Sequence, residues 1–328
     1  MSSKIIKDKD IDLSVISNKH IGIVGFGNQG KAQALNLIDS GLNVTIGIRT
    51  ESPKIDFLRK RNIPYCNISD LVKNCDIVVL LVPDSAMPGI YQEHIHRYLK
   101  KGQTLIFSHG YNIHYGFIKP PKWVNVAMVA PSGGGQLLRD KFKNSSGIPS
   151  LLAVENDYSG NSLDLIKAYG KGIGSGRICL FLSSFKEETE TDLYGEQVLL
   201  TGGLPKMIEK SLKVLLEDGY SPLAAWFVCY YEIKMIVDLF HEKGFDYLYN
   251  AISDTARYGG LKSGDYLIDD DYEDKLKNIL KDIQNGKFVK ELGKNADTLK
   301  YKSSIDNKSS DEIEKIMKIL FKKSKNKE

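Results

Sequence analysis

A glycine-rich turn near the N-terminus is the feature that most constrains how this chain folds. The apolar run His20–Val24 predicts a buried strand, which leads directly into the pattern G-x-G-x-x-G. Residues 31–39 have helical periodicity, and residues 42–48 are typical of a second strand. This order brings backbone N–H groups and a helix N-terminus close to a pyrophosphate. We therefore predict a dinucleotide-binding β-α-β unit with the turn residues Gly25, Phe26, Gly27, Asn28, Gln29 and Gly30.

The residues after the second strand bear on which nicotinamide cofactor is bound. An acidic residue there would accept a hydrogen bond from the ribose 2′-hydroxyl of NAD. This chain has Arg49 instead, and Ser52 follows shortly after it. Both suit a 2′-phosphate, to which Thr50 or Lys54 could add, so NADPH is favoured. Glu51 leaves NADH open, because its carboxylate could turn towards the ribose.

Later apolar runs extend this unit into a doubly wound α/β sheet of the Rossmann type. They are Asp76–Val82, Gln103–Phe107, Val124–Val129, Ser150–Val154 and Ile178–Leu182. Ligands of such sheets bind beyond the carboxyl ends of the strands. The loops at those ends contain Val82, Pro83 and Asp84 after one strand and His109 after the next. We expect all four to contact the cofactor, and His109 to orient the substrate or donate a proton.

The pattern changes after residue 182, where no comparable strand follows. Helical periodicity occurs near 190–215, 222–243, 245–257, 270–284 and 310–323, with glycine and proline between the segments. We therefore expect two domains, a nucleotide-binding domain at 1–182 and an all-α domain at 183–328.

An acidic segment, Glu187–Gln197, holds five carboxylates in eleven residues. At the start of a helix it could be capped by Thr189 or Thr191, and its charges would suit the helix dipole. Asp192 and Glu196 are then four residues apart on one face. A solvated helix start is the simpler interpretation. The alternative is a Mg²⁺ site, because this ion commonly takes one or two carboxylates together with waters.

Two residues of the second half are further candidates. Glu232 lies among apolar and aromatic neighbours in the segment 222–243. A buried carboxylate needs a partner, so Glu232 would pair with a lysine, lie on an exposed face, or ligate a metal. Ser253 is either a substrate-binding hydroxyl or a polar residue on a helix surface.

Composition argues against several classes of function. The 328 residues carry a net charge of only +4 with interspersed signs, which does not favour nucleic acid as a partner. Lysines cluster from Lys315 to Lys327, where we expect a solvated helix face. Four separated cysteines are typical of reduced thiols in a cytoplasmic protein. We expect neither a signal peptide nor a membrane-spanning segment.

Together these motifs resemble those of one family, the ketol-acid reductoisomerases of branched-chain amino-acid biosynthesis. The resemblance covers residues 15–320 and has the length of the family's short form. Its motifs are the glycine turn, Val82–Asp84, Ser108–His114, Val129–Pro131, Lys186–Gln197, Glu232–Leu239, Ile252–Gly259 and Lys281–Phe288. The acidic segment is the most specific of them.

The resemblance implies both a fold and a site. It implies a Rossmann domain and a helical domain that forms a knot with a second subunit, with NADPH and two Mg²⁺ ions between the domains. Asp192 and Glu196 match metal ligands, and Glu232 of the partner subunit matches another. Ser253 of the partner subunit matches the residue that holds the substrate carboxylate. His109 matches the active-site histidine.

Several positions depart from the family's pattern. Ser132 replaces its lysine, and Val228 replaces a glutamate one turn before the last metal ligand. Its proline and two histidines are Gly134, Gln136 and Lys31 here. In the family's first step an alkyl group moves between adjacent carbons of an acetohydroxy acid, and charge shifts from one oxygen to its neighbour. Two metals would hold both oxygens, and a nearby lysine and carboxylate would manage the proton. Hydride transfer needs only a bound nicotinamide, orientation and one electrophile or acid.

We therefore expect an NAD(P)H-dependent reductase of this family that reduces the C=O or C=N of a small 2-oxo or 2-imino acid, with isomerisation lost. Asp192, Glu196 and Glu232 would hold one Mg²⁺ or, without metal, a substrate amine. The alternative is a genuine ketol-acid reductoisomerase, with water or Lys31 in place of the lost charges. A third hypothesis, a catalytically inactive cofactor-binding protein, is disfavoured by the intact glycine turn and the retained carboxylates.

Overall fold

The computed structural model describes residues 5–295 and 302–321. The chain forms two compact units, Met1–Thr191 and Asp192–Glu328. The division falls inside the helix Phe185–Gly195.

The first unit is built on a nine-stranded sheet. Its strands are β1 (Ile5–Ile6), β2 (His20–Val24), β3 (Asn43–Gly47), β4 (Tyr65–Cys66), β5 (Ile77–Leu80), β6 (Thr104–Phe107), β7 (Asn125–Pro131), β8 (Ser150–Asn156) and β9 (Leu180–Leu182). They lie in the order β1-β9-β8-β7-β6-β5-β2-β3-β4. The six strands from β4 to β7 are parallel and have the Rossmann order. β8 pairs antiparallel with β7, and β1 pairs antiparallel with β9. The predicted doubly wound fold is confirmed.

Both faces of this sheet are covered, which explains why its central strands are continuous apolar runs. Every residue of β5 and β6 is buried. Val79 belongs to the core on one face, and its neighbour Val78 belongs to the core on the other. The two strands that sequence reasoning missed, β1 and β4, have only two residues each, too few for a periodic pattern.

Helices connect the strands of the first unit. They are α1 (Ser14–Ser17), α2 (Asn28–Asp39), α3 (Ile55–Lys60), α4 (Ile68–Asn74), α5 (Met87–Ile90), α6 (Tyr111–His114), α7 (Gly135–Lys143), α8 (Ser162–Gly172) and α9 (Phe185–Gly195). A π-helical turn at Tyr91–Ile95 continues α5. Single 3₁₀ turns lie at Asp8–Asp10, His96–Tyr98 and Ser175–Arg177.

The glycine turn joins β2 to α2 as predicted. Gly25 has a φ of +98°, and a Cβ there would lie 2.5 Å from the Leu81 carbonyl oxygen. A Cβ on Gly30 would lie 2.3 Å from the Gly25 carbonyl oxygen. Both positions therefore require glycine. Gly27 differs, because nothing lies within 4 Å of its Cβ position.

The described part of the second unit consists of helices, so the predicted all-α half is confirmed. After α9 come α10 (Gly203–Glu217), α11 (Pro222–Trp226), α12 (Glu232–Lys243), α13 (Phe245–Ala251), α14 (Asp254–Leu267), α15 (Asp270–Gln284), α16 (Lys287–Asn295) and α17 (Asn307–Leu320). One π-helical turn, Glu196–Leu200, follows α9, and another, Phe227–Tyr231, joins α11 to α12. The predicted knot with a second subunit stays a prediction.

Two predicted helical segments are each divided. The segment 190–215 is interrupted at Thr201 and Gly202, between the π-helical turn after α9 and α10. The segment 245–257 breaks between α13 and α14, where Ser253 caps α14. The Ser253 Oγ accepts a hydrogen bond from the Ala256 N–H at 3.2 Å. A serine hydroxyl that satisfies a free N–H of the first turn favours a helix start at that point.

The predicted cap of the acidic helix is wrong. α9 begins at Phe185, before Thr189 and Thr191. The Ser184 Oγ accepts from the Glu187 N–H at 3.0 Å and takes the capping role. Thr191 lies within the helix, where its hydroxyl donates to the Glu187 carbonyl oxygen at 2.7 Å.

No helix among residues 5–295 and 302–321 is both long and apolar enough to cross a bilayer. The predicted lysine cluster is described only in part. Lys315 and Lys318 lie exposed on α17, as expected, whereas the residues from Lys322 to Lys327 lie outside the described part of the chain.

Gly135→Ala is expected to destabilise the first unit. Gly135 is the first residue of α7, and a Cβ there would lie 2.1 Å from the Asn28 carbonyl oxygen. The glycine turn would have to move, and such overpacking typically costs about 1–3 kcal/mol. Urea unfolding measures this loss. Gly134→Ala is the matched control, because nothing lies within 4 Å of its Cβ position. Equal stability of the two variants would contradict the close approach.

Candidate active site

A cleft of about 650 Å³ lies beyond the carboxyl end of β3, where the 2′-phosphate is predicted to bind. Arg49 and Glu51, the two residues that argue for different cofactors, both line it. Its other lining residues are Ile48, Thr50, Asn67, Ile68, Ser69 and His94. The cleft therefore contains one basic side chain, one acidic side chain and a histidine for which the sequence predicts no role.

Ser52, also predicted to bind the 2′-phosphate, shapes the turn after β3. Its N–H donates to the Arg49 carbonyl oxygen at 3.1 Å, and its Oγ accepts from the Lys54 N–H at 3.3 Å. Its role in cofactor binding stays a prediction.

A second cleft adjoins the glycine turn. It is lined by Phe26, Gly27 and Asn28, with Lys31 and Lys54 among the other residues that border it. α2 begins here, with Gly27 at its N-cap position. A helix N-terminus, an open glycine and two lysines favour the binding of a pyrophosphate.

Two glutamines hold the glycine turn against the neighbouring loops. The Gln29 Nε2 donates to the Gly133 carbonyl oxygen at 2.8 Å. The fully buried Gln33 donates to Gln29 Oε1 and to Ser108 Oγ, both at 3.1 Å. The Tyr169 hydroxyl donates to Gln33 Oε1 at 2.7 Å. The turn is thereby tied to the loops that follow β6 and β7.

The loop after β5 contains three predicted cofactor contacts, Val82, Pro83 and Asp84. A Cβ on Gly25 would lie 2.8 Å from Val82 Cγ1, so this loop adjoins the glycine turn. The Pro83 carbonyl oxygen accepts from two N–H groups of the following turn. The Asn112 Nδ2 donates to the carbonyl oxygen and to Oδ1 of Asp84 at 3.2 and 3.3 Å. The three residues thus lie where a cofactor on the glycine turn would pass.

A buried carboxylate, Glu188, holds His109 in place. Only 6% of Glu188 is exposed, and it accepts hydrogen bonds from His109 Nδ1 at 2.9 Å and from the Gly110 N–H at 2.7 Å. A carboxylate is costly to bury unless it is hydrogen-bonded, and bonds to a charged acceptor are strong. A bond to the carboxylate places a proton on Nδ1. Glu188 therefore sets the tautomer and the orientation of the imidazole at the end of β6.

Aromatic rings pack against this histidine. The Tyr111 ring is stacked 6.0 Å from the His109 ring, and Tyr115 lies 5.2 Å from Tyr111. Burial, together with the Asp84 carboxylate, raises the pKa of Tyr111. Burial, Glu190 and Tyr111 raise the pKa of Tyr115 to about 12. Both phenols are therefore protonated at neutral pH and can donate hydrogen bonds.

Asp192 follows Glu188 by one turn of α9 and is exposed. One ligand atom of each of His109, Glu188 and Asp192 lies within 4.8 Å of the others. Carboxylate oxygens are the ligands that Mg²⁺ prefers. Asp192 is the exposed carboxylate of this group. Its oxygens suit Mg²⁺ on this side of α9, since the ion commonly takes one or two carboxylates together with waters.

Two other predicted metal ligands lie outside that group, among the residues that the structure describes. Glu196 begins the π-helical turn after α9, and Glu232 directly follows the turn Phe227–Tyr231. Both are exposed. π-helical turns are rare and are found frequently at functional sites. The metal-binding roles of Glu196 and Glu232 stay predictions.

The positions that depart from the family's pattern are exposed. Val228 lies in the π-helical turn with 53% of its surface exposed, and its side chain cannot ligate a metal. The Ser132 N–H donates to the Pro149 carbonyl oxygen at 2.9 Å. Gln136 lines the cleft beside the glycine turn. Ser253 is also exposed, and its hydroxyl hydrogen is not used by the cap, so its predicted substrate contact stays a prediction.

Sequence reasoning missed Glu188 and His94. A signal for Glu188 was present, because Glu188 and Asp192 have the same spacing of four as Asp192 and Glu196. The interpretation of the acidic segment as a solvated helix start is wrong for Glu188 and Glu190, which are buried. No local pattern brings His94 to the Arg49 cleft, since only the tertiary fold brings them together.

A Rossmann sheet, clefts at its carboxyl edge and an anchored histidine define a nicotinamide-dependent oxidoreductase. Comparison with known proteins narrows this class. The family model "Acetohydroxy acid isomeroreductase, NADPH-binding domain" matches residues 15–179, and "Ketol-acid reductoisomerase, C-terminal domain" matches residues 185–325. The chain belongs to the ketol-acid reductoisomerase family in its short form, and its first unit contains the family's NADPH-binding domain.

Similar proteins agree with this assignment. A ketol-acid reductoisomerase (NADP(+)) of Methanocaldococcus jannaschii is 43% identical over 288 residues, which cover 88% of this chain and 87% of that protein. One from Saccharolobus islandicus is 42% identical and covers 99% of this chain and 98% of its own. The solved structure of an NADH-preferring ketol-acid reductoisomerase from an uncultured archean is 36% identical, with a TM-score of 0.86 and 90% of both chains covered.

Gly27→Ala is expected to weaken NADPH binding about tenfold or more without loss of stability. The added methyl would enter the open space beside the N-terminus of α2, where a pyrophosphate would need the backbone close by. Cofactor fluorescence titration gives the affinity, and the melting temperature gives the stability. Gly89→Ala, another position with nothing within 4 Å, should change neither. Unchanged affinity in Gly27→Ala would remove the turn from the cofactor site.

Proposed function

We propose that the protein is a ketol-acid reductoisomerase that rearranges an acetohydroxy acid and reduces the product with NADPH, in branched-chain amino-acid biosynthesis. The observation that carries this proposal is an identity of 42% across nearly the whole length of a relative of that name. The anchored His109 and the open glycine turn supply the local features that such an enzyme needs. The comparisons favour this function over the reductase without isomerase activity that the sequence suggested.

His109 would act next to the nicotinamide. Reduction of a C=O places negative charge on its oxygen, which a preorganised donor stabilises. With Nδ1 bonded to Glu188, the ring keeps one orientation at the end of β6. In this proposal His109 orients the substrate or donates a proton, and Glu188 is its positioning residue.

The acidic residues of the second unit would hold Mg²⁺. The proposed ligands of one ion are Asp192 and Glu196 of one subunit together with Glu232 of the partner subunit. Val228 offers no ligand for a second ion. When bound, the ion supplies Lewis-acid stabilisation of the substrate oxygens. Ser253 of the partner subunit would bind the substrate carboxylate through its hydroxyl hydrogen.

NADPH is the proposed cofactor. Arg49 and Ser52 would bind its 2′-phosphate in the cleft after β3, and the glycine turn with Val82, Pro83 and Asp84 would border the rest. Glu51 lines the same cleft and carries a charge opposite to that of Arg49.

A second candidate function is reduction without alkyl migration, on a small 2-oxo or 2-imino acid. The observation that favours it is the pair of replacements at Ser132 and Val228, which removes one cation and one carboxylate. Neither group is needed for hydride transfer. The two candidates differ in their substrates and can be told apart directly.

We expect the purified protein to oxidise NADPH with 2-acetolactate and Mg²⁺, and also with 3-hydroxy-3-methyl-2-oxobutanoate, the product of migration. Absorbance of NADPH follows both reactions. Turnover of the second compound alone would establish reduction without migration. Turnover of neither, in a protein that binds NADPH, would contradict both candidates for these substrates.

Within the same assay, Asp192→Asn should abolish turnover and leave NADPH affinity unchanged. The substitution removes one carboxylate charge from the proposed metal site and leaves the nucleotide clefts intact. Glu187→Gln is the matched control, because Glu187 is an exposed carboxylate on the same helix. An unaltered rate in Asp192→Asn would remove this residue from the mechanism.

We also propose that the chain works as a homodimer or a higher homo-oligomer. The hydrophobic cluster at the centre of the second unit is small, with four buried residues among those that the structure describes, Leu212, Ala225, Trp226 and Ile313. Large apolar side chains are exposed there instead, among them Leu199, Leu200, Phe227, Met235, Phe245, Tyr258, Tyr266 and Leu267. Exposed apolar surface of this extent is typical of an interaction surface.

Light scattering should therefore give a mass of at least twice the 36.7 kDa of one chain. Phe245→Glu, at a side chain 65% exposed, should reduce that mass, because a charge is costly to bury at an apolar interface. Phe117→Glu, which changes an exposed ring of the first unit, is the control. A monomer at micromolar concentration would refute the oligomer.

We also propose a domain boundary and a cellular location. The boundary lies after residue 182, close to the start of α9. A cytoplasmic location is proposed because all four cysteines are free thiols. Burial raises the pKa of the Cys75 thiol to about 12, so this thiol is unreactive at neutral pH.

A further inference from the structure

We propose that His94 determines cofactor specificity: its imidazolium pairs with the 2′-phosphate of NADPH and makes the preference for NADPH over NADH stronger as the pH falls. The inference rests on the proposed NADPH-dependent function and assigns a residue and a regulation to its cofactor cleft.

The backbone holds His94 firmly at the cleft. His94 lies in the π-helical turn Tyr91–Ile95 that follows α5. Tyr91 and Ile95, at the two ends of this turn, are 3% and 0% exposed and belong to the core beneath the sheet. Between these two anchors the His94 side chain is 41% exposed and lines the same cleft as Arg49. A ring in this position can reach a ligand without leaving its own segment.

The charges of the cleft explain why a second cation matters. Arg49 and Glu51 are the charged residues of its lining besides the histidine, and they have opposite signs. A phosphate monoester carries a charge of about −1.5 to −2 at neutral pH. With Arg49 and Glu51 offsetting each other, a protonated His94 is the group of the lining that gives the cleft a net positive charge.

Charged side chains next to His94 in the sequence and on α4 make contacts of their own. Glu93 is the nearest acid, with its Oε2 3.6 Å from His94 Nε2. The Arg97 guanidinium donates to the Glu93 backbone carbonyl at 3.2 Å. On α4, Asp70 accepts from Lys73 at 2.9 Å and from Asn67 at 2.6 Å. Asp70 and Arg97 are thus engaged by their own neighbours.

The imidazole side chain of histidine can gain or lose its charge within the physiological pH range. A hydrogen bond between an imidazolium and a phosphate oxygen is charge-assisted and therefore strong, whereas neutral imidazole contributes much less. NADH has a hydroxyl in place of the phosphate, so its affinity should not depend on this charge. The ratio of the two affinities should consequently change between about pH 6 and about pH 8.5.

A different role would leave a different signature. If the His94 ring only stacked on the adenine, both cofactors would lose affinity when it is replaced, because the adenine is common to them. Such a loss would also be nearly independent of pH. The comparison of NADPH with NADH at two pH values therefore separates recognition of the phosphate from stacking.

The test is His94→Gln in the full chain, with dissociation constants for NADPH and NADH measured by fluorescence at about pH 6 and about pH 8.5. In the wild-type protein the preference for NADPH should fall about fivefold or more from the lower to the higher pH. In His94→Gln, NADPH should bind about fivefold more weakly at the lower pH and NADH should be unaffected. The preference for NADPH should then no longer rise as the pH falls.

His96→Gln is the matched control. His96 lies two residues further on, its Nδ1 is 3.3 Å from the Tyr91 hydroxyl, and it is not part of the cleft lining. Equal weakening of both cofactors in His94→Gln, or no change at either pH, would overturn the inference while the proposed function stands. Failure of the wild-type protein to bind NADPH at both pH values would overturn the proposed function and the inference with it.

Discussion

The hydrogen bonds of the buried Glu188 carboxylate are the interactions on which the rest of the site depends. They join the start of α9 to the loop after β6 through His109 and the Gly110 N–H. A Cβ on Gly110 would lie 2.5 Å from Thr189 Oγ1, so the helix and the loop are in close contact. Leaving a buried donor or acceptor without its partner typically costs about 1–3 kcal/mol. One residue thus docks the acidic helix on the sheet and orients the histidine, and the docked helix in turn places Asp192.

Much of this architecture could be predicted from the sequence, because the features that define it are local. The glycine turn, its two flanking strands and the change to helices after residue 182 all follow from periodicity and from the chemistry of single residues. Gly135 could not be predicted, since the reason for its glycine is the Asn28 carbonyl oxygen of a distant turn. His94 was missed for the same reason. The position of Glu188 on the helix face of Asp192 could be predicted from its spacing, whereas its burial could not, because its partners His109 and Gly110 lie in a distant loop.

The π-helical turns are the feature that sequence patterns could not supply. Three of them occur in the described residues, at Tyr91–Ile95, Glu196–Leu200 and Phe227–Tyr231. Each contains or adjoins a residue of the proposed site, namely His94, Glu196 or Glu232. A π-helical turn replaces i→i+4 bonds by i→i+5 bonds, so it rotates every later side chain relative to an ideal α-helix. A period of 3.6 residues per turn therefore predicts which side chains share a face of α9 up to Glu196, but not in the π-helical turn that follows.

The loss of two charged groups also limits how isomerisation could proceed. Lys31 was a candidate to replace the family's lysine, but its Nζ lies 4.6 Å from the Phe57 ring centre and it lines the cleft beside the glycine turn. In that position its charge would serve the cofactor's phosphates. Ser132 is exposed and brings a hydroxyl without charge. An isomerase built on this chain would therefore use water for proton transfer, with the carboxylates near α9 supplying the negative charge that Val228 cannot. Hydride transfer needs only a bound nicotinamide, orientation and one electrophile or acid, for which His109 is proposed, and makes no such demand.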